Sequence, residues 1–154
     1  MRLTLRTDYA LRALIYLGTR AGELCTIEEI ARAFTLPKTH VMKVINELSR
    51  RGYVQTLRGK NGGVRLQMDP AGIVVGAVVR DMEEDLAVMG CLGQAGFCRI
   101  QGCCVLKGAL RDAARAFIGA LDGYSLADLL EPRALLVRQL GISPGRIAGT
   151  RASH

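Results

Sequence analysis

The sequence predicts a mostly helical fold with one small two-stranded ribbon, and two observations carry that prediction. Apolar residues recur at helical spacing in the first fifty residues, then switch to alternation around a glycine-rich turn. A longer helical repeat returns only after a gap rich in glycine and cysteine. With 154 residues, 49% of them hydrophobic and 23% charged, the chain can bury one ordinary core and is not a disordered tail.

The first periodic segment runs from Thr7 to Leu17, with Ala10, Ala13, Leu14 and Leu17 recurring and Thr7 as the expected cap. Thr26 and Glu29 then form a T-x-x-E capping box that opens a short helix through Ile30 to about Phe34. Thr35-Leu36-Pro37 breaks the chain, and Pro37 suits a first helical turn. The next helix is expected from Lys38 to Arg51, with Val41, Val44, Ile45 and Leu48 as its apolar stripe and Gly52 as its stop.

After Gly52 the period changes. Tyr53–Leu57 and Val64–Met68 alternate as strands do, and Arg58-Gly59-Lys60-Asn61-Gly62-Gly63 joins them as a turn containing Asn-Gly. Helix, helix, turn, helix and ribbon is the order of a winged helix-turn-helix. Gly72 to Glu84 reads as a further helix, with Ile73, Val74, Ala77 and Val78 on one side. From Met89 to Gly102 the pattern vanishes, and four glycines punctuate the chain. Leu106, Ala109, Leu110, Ala113, Phe117 and Leu121 then mark a long helix from Val105, and Ser125 caps a last short one through Leu130.

Charge is uneven along the chain. Lys and Arg number 21 against 14 Asp and Glu, for a net +7. Residues 1–68 hold 12 basic and 5 acidic side chains, whereas residues 69–130 hold 5 and 8. A basic first half suits either a phosphate-binding module or a solvated surface. No apolar run approaches the ~18 residues that a membrane span needs, and no signal peptide opens the chain, so a cytoplasmic address without membrane contact is expected.

Lys38, Thr39, His40 and Lys43 fall where a helix-turn-helix meets base edges, and Arg50 and Arg51 suit phosphates. Arg58, Lys60 and Arg65 surround the ribbon's glycines, where an Arg suits a narrow minor groove. Four of the five cysteines, Cys91, Cys98, Cys103 and Cys104, crowd into 14 residues, while Cys25 stands alone. Cys91, Cys98 and Cys104 are separated by six and then five intervening residues, without the Cys-x2-4-Cys pairs of zinc ribbons or the ferredoxin run. A loose glycine-rich loop suits three thiolates around an iron–sulfur cluster, with one iron open to another ligand. Buried apolar cysteines are the plain alternative. Asp8 reads as a helix N-terminal acid favoured by the dipole.

Thr7-Asp8-Tyr9-Ala10-Leu11-Arg12, the ribbon Arg58–Leu66 and the three-cysteine loop together resemble the NsrR and IscR family of iron–sulfur transcriptional regulators, over about residues 1–130. Within it, the run Cys98–Lys107 is most similar to the nitric-oxide-sensing NsrR branch. Lys107 stands where IscR-type members carry a His. The element order reads as a winged helix-turn-helix over residues 1–68, and the Gly- and Arg-rich chain over 132–154 as a flexible tail; the resemblance implies a cluster loop and dimerisation helix over 69–131. It also implies a homodimer joined along the long helix, bound to palindromic double-stranded operator DNA. Cys91, Cys98 and Cys104 would hold a [4Fe–4S] cluster, with Asp8 of the partner subunit as fourth ligand and Arg12 beside it.

The function expected is a non-enzymatic DNA-binding repressor that senses nitric oxide. One alternative is a redox or iron sensor of the same family that uses cysteine oxidation or a [2Fe–2S] cluster. Another, from a different class, is an iron–sulfur electron carrier or enzyme subunit. Against the latter, the chain has no nucleotide-binding glycine motif and only two His, His40 and His154.

Overall fold

The computed structural model describes residues 3–20, 22–86, 92, 98–100 and 102–142. Cys91, most of the glycine-rich gap and the chain after residue 142 lie outside the described residues. In chain order the elements are α1 (Leu5–Thr19), α2 (Ile27–Ala33), α3 (Lys38–Arg50), β1 (Val54–Leu57) and β2 (Gly63–Leu66). A 3-10 turn at Pro70–Gly72, α4 (Val75–Met82), α5 (Val105–Asp122), α6 (Leu126–Leu129) and α7 (Arg133–Gln139) follow.

The first helix starts earlier than its periodicity implies. Thr4 is the cap, accepting from the Thr7 backbone N–H, and Thr7 itself is fully buried inside α1. Its hydroxyl donates to Glu83 instead of capping. The expected Thr26–Glu29 box does form at α2, with both reciprocal bonds present. Thr35 takes φ 53° in the turn, which lets Leu36 N–H reach the Ala31 carbonyl at 2.8 Å. α3 ends in a Schellman motif: Gly52, at φ +81°, donates to Ser49, and Tyr53 donates to Leu48.

β1 and β2 pair antiparallel, Val54 opposite Leu66 and Leu57 opposite Gly63. The wing is anchored from its other side. Cys25 exchanges two backbone hydrogen bonds with Val64, at 2.8 and 2.7 Å, so β2 lies between β1 and residue 25.

The expected helix from Gly72 begins only at Val75. Asp69 caps the 3-10 turn before it, and Val74 stays extended because residues 73–75 pair with 124–126. Val75, Val78, Val79 and Met82 then face the core, which also holds Leu14, Leu17, Ile30, Val41, Ile45 and Leu48. Burying such a side chain contributes about 1.5–3 kcal/mol. The flexible tail expected from residue 132 is corrected for its first part. α7 forms, Arg133 donates to the Thr19 carbonyl at 2.9 Å, and Ile142 is buried.

α5 is the exception to this packing. Of its 18 residues only Ile118 is buried, while Val105 and Leu106 are 86% and 58% exposed. One end is fixed to α4 by a bidentate Arg80–Asp122 pair, at 2.8 and 3.0 Å. An amphipathic helix this bare leaves its apolar stripe for another surface to cover. No helix among the described residues is long and apolar enough to cross a membrane.

Candidate functional site

α3 buries Val41, Val44, Ile45 and Leu48 and turns Thr39, His40, Met42, Lys43 and Asn46 outward. Several of these outward side chains are already engaged. Lys38 Nζ pairs with Glu28 at 2.8 Å, and the His40 ring stacks on Tyr9 with centroids 6.1 Å apart. Arg50 reaches Glu47 at 3.5 Å. Lys43 has no ion pair among the described residues.

Arg51 is held on both sides. It pairs with Glu47 at 2.9 Å and with Asp81 of α4 at 3.2 Å, and the Tyr53 phenol donates to the same Asp81 at 2.6 Å. Burial and then the Asp81 carboxylate push the Tyr53 hydroxyl well above its ordinary range, so it stays a donor. Arg51 thus ties the end of α3 to α4 rather than standing free toward a phosphate. On the wing, Arg58 and Lys60 are exposed at the turn, whereas Arg65 donates twice to Gln55 across the strands. Between the start of α2, α3 and the wing runs a groove of about 660 Å³, lined by Lys38, Met42, Asn46, Leu57 and Arg58 among others.

The first turns of α1 touch both ends of this arrangement. Asp8 pairs with Arg12 at 2.9 Å, and the Arg12 guanidinium lies 5.9 Å from the centroid of Phe34, at the end of α2. Tyr9 and Phe34 were not singled out from sequence, although Tyr9 is the one aromatic between Asp8 and Arg12. On the other side, Thr4 and Thr7 donate to a single Glu83 oxygen, and Arg6 bonds Glu84 and the Met82 carbonyl. Burial alone would push the Glu83 carboxyl up, yet the Thr7 and Thr4 bonds with nearby Arg6 bring it below the usual carboxylate range.

Of the proposed ligands, Cys98 is exposed and Cys104 half-buried, both as free thiols. Cys91 lies outside the described residues, and no group of three metal-binding side chains occurs among those described. Cys104 is the N-cap of α5 and makes no side-chain capping bond, so its sulfur is not engaged by the helix it precedes. Ile100, Val105 and Leu106, its near neighbours in the chain, are exposed apolar side chains. Free thiols are the donors that an iron–sulfur group takes. Cys103 is exposed and turned to the Ile100 carbonyl at 3.5 Å. Cys25 does not fit: burial, with Glu29 and Glu23 nearby, pushes its thiol up to about 11 against the opposing pull of Arg20.

Residues 3–132 match the family model Rrf2, described as an iron-dependent transcriptional regulator. The chain is 48% identical over 138 residues to the HTH-type transcriptional regulator NsrR of Geobacillus kaustophilus (strain HTA426), covering 88% of this chain and 94% of that one. It is 43% identical over 142 residues to NsrR of Bacillus subtilis (strain 168), covering 91% and 97%. Among solved structures, T. potens IscR superposes with a TM-score of 0.69 at 25% identity, over 86% of this chain and 88% of that one. B. subtilis CymR, the global cysteine regulator, gives 0.65 at 23% identity over 84% and 95%, a likeness of fold.

Proposed function

The chain belongs to the Rrf2 family of transcriptional regulators, and on that premise we propose a homodimeric repressor that reads a palindromic operator and senses nitric oxide through a [4Fe–4S] cluster. It is a DNA-binding regulator and not an enzyme. A cytoplasmic place, within reach of the chromosome, goes with that role. The observation that carries the sensing mechanism is the seating of α1, which bears Asp8 and Arg12 and stacks Tyr9 on His40 of α3.

Cys91, Cys98 and Cys104 would hold the cluster together with Asp8 of the partner subunit. When bound, the cluster supplies iron that reacts with nitric oxide and ligand bonds that join the loop of one subunit to the other. What this chain's own residues do follows from their contacts. One Asp8 oxygen accepts from the Arg12 Nε, so the partner's loop would either take the other oxygen or displace Arg12. Either choice acts on α1, and α1 bears on the recognition helix through Tyr9–His40 and on the end of α2 through Arg12–Phe34. In a dimer joined along the bare stripe of α5, a shift of α1 changes the spacing of the two recognition helices. A half-site mismatch of a few ångströms then removes contacts on one side. Such coupling is typically about 1–3 kcal/mol.

The redox-sensing alternative is favoured by one observation, the exposed Cys103 thiol beside Cys104. One experiment separates the two. The protein is purified anaerobically, its iron and sulfide are counted, and operator binding is measured with and without nitric oxide or a mild thiol oxidant. Release by nitric oxide alone supports the proposal. Release by the oxidant alone favours the redox sensor, and equal binding by iron-free protein removes cluster control altogether.

A further inference from the structure

Met42 has no obvious place on the outward face of α3. It is 46% exposed, on a helix whose inward stripe is complete without it and whose surroundings are basic: Lys38, Lys43 and Arg58. It lines the groove beside the wing together with Leu57, itself 39% exposed, and Asn46. Asn46 follows Met42 by four residues, so the two project from the same face one turn apart. Their neighbours are committed elsewhere, Lys38 to Glu28 and His40 to Tyr9.

The chemistry of this pair is specific. A base-pair edge in the major groove offers donors, acceptors and one apolar group, the C5-methyl of thymine. An exposed thioether can remove apolar surface from water there only against that methyl. An Asn amide matches the N6 donor and N7 acceptor of adenine, and it does so from a helix turn that reaches a neighbouring base pair. We propose that Met42 and Asn46 set the sequence preference of the recognition helix, Met42 against a thymine methyl and Asn46 on an adenine. This assignment rests on the DNA-reading function proposed above and names the bases that it reads.

The test begins with the full-length, anaerobically purified protein and a random duplex library, from which bound sequences are enriched. The enriched duplex is then remade with each thymine in turn replaced by deoxyuridine, which removes only the methyl, and with each adenine replaced by 7-deazaadenine. The parent is expected to lose about fourfold in affinity at one deoxyuridine position per half-site, the equivalent of one buried methyl group. Met42→Ala should lose about as much on the thymine duplex and become insensitive to that replacement, while Met42→Leu should keep the sensitivity. Asn46→Ala should likewise become insensitive to one 7-deazaadenine position. Circular dichroism confirms folding of each variant.

If Met42→Ala responds to deoxyuridine as the parent does, or the parent responds nowhere, the assignment fails and DNA reading stands. If the parent enriches no sequence at all, DNA reading fails and this assignment with it.

Discussion

The Tyr9 ring lies 28° from parallel to the His40 ring, with centroids 6.1 Å apart, so the first helix leans directly on the recognition helix. Tyr9 sits between Asp8 and Arg12, which pair with each other, and Arg12 in turn lies over Phe34. One face of one helix turn therefore bears on both helices of the helix-turn-helix.

Removing Tyr9 should uncouple these parts. A stacked ring pair contributes roughly 0.5–1.5 kcal/mol, so Tyr9→Ala is expected to weaken operator binding several-fold. It should leave the iron content unchanged, since no proposed ligand is touched. Binding curves and an iron count on the same preparation check both halves. Parent-like affinity would remove the Tyr9–His40 contact from the mechanism.

Asp8 admits two roles with different signatures. As a ligand across the dimer, it should be dispensable for some cluster assembly on three thiolates. Asp8→Ala should then alter the absorption spectrum and the rate of reaction with nitric oxide. As a helix-terminal acid paired with Arg12, it would contribute only about 0.3–1 kcal/mol to stability and leave the spectrum alone. Stopped-flow absorbance against nitric oxide distinguishes the two, and unchanged kinetics would reject the ligand role.

The elements legible in the sequence are those whose partners are near in the chain. Thr26 and Glu29 close their box within one turn, Ser125 and Asp128 do the same, and Gly52 ends α3 through residues 48 and 49. The misreadings have distant causes. Thr7 was expected to cap α1, but its hydroxyl belongs to Glu83, 76 residues away. α4 was expected from Gly72, but Val74 is held extended by Ser125. Pro132 and the Gly and Arg residues beyond it suggested a tail, yet Arg133 docks on the Thr19 carbonyl and α7 forms. Of the site, residue types were legible and their commitments were not. Arg51 is as basic as Arg58, and only the fold gives it Asp81.

Glu83 gives a pH dependence with a definite sign. Its folded carboxyl titrates below the usual value of 4.5, because the Thr7 and Thr4 bonds and Arg6 outweigh the effect of burial. The stability it contributes is therefore fully present above about 4.5 and is lost as pH falls through the lower folded value. Glu83→Gln should lower Tm at neutral pH and show a shallower decline between pH 5 and pH 3 (roughly the carboxylate range). Thermal melts across that range test it; parallel pH profiles for variant and parent would contradict the assignment.

Cys103 and Cys104 are adjacent, and the structure separates their surroundings. Cys104 stands at the N-cap position of α5 and is half-buried, whereas Cys103 is exposed and turned to the Ile100 carbonyl. Cys103→Ala should therefore retain iron, sulfide and control of DNA binding, while Cys104→Ala should yield iron-poor protein. Anaerobic purification and iron and sulfide counts per chain decide it, and equal loss in both variants would show the assignment to be wrong.

Arg51 and Arg58 look alike in the sequence and should behave in opposite ways. Arg51 pairs with Glu47 and, with Tyr53, meets Asp81, so it joins the recognition helix and the wing to α4. A side chain held this way has little reach left for a phosphate. Arg58, at the wing turn, is exposed and has no ion pair among the described residues. A cation that neutralises one phosphate releases about one counterion, so its removal should lower the slope of log affinity against log salt by about 0.9 per site. Arg58→Ala is thus expected to reduce the salt slope by about one per subunit while leaving Tm near the parent's. Arg51→Ala should do the reverse, lowering Tm with the slope intact. Its cost in stability stays small, on the order of 1 kcal/mol, because the pair is partly exposed and solvent-screened. Operator binding at three or four salt concentrations, with melts of the same proteins, separates the two. A reduced slope for Arg51→Ala would mean that Arg51 leaves Asp81 for the DNA backbone when the operator is bound.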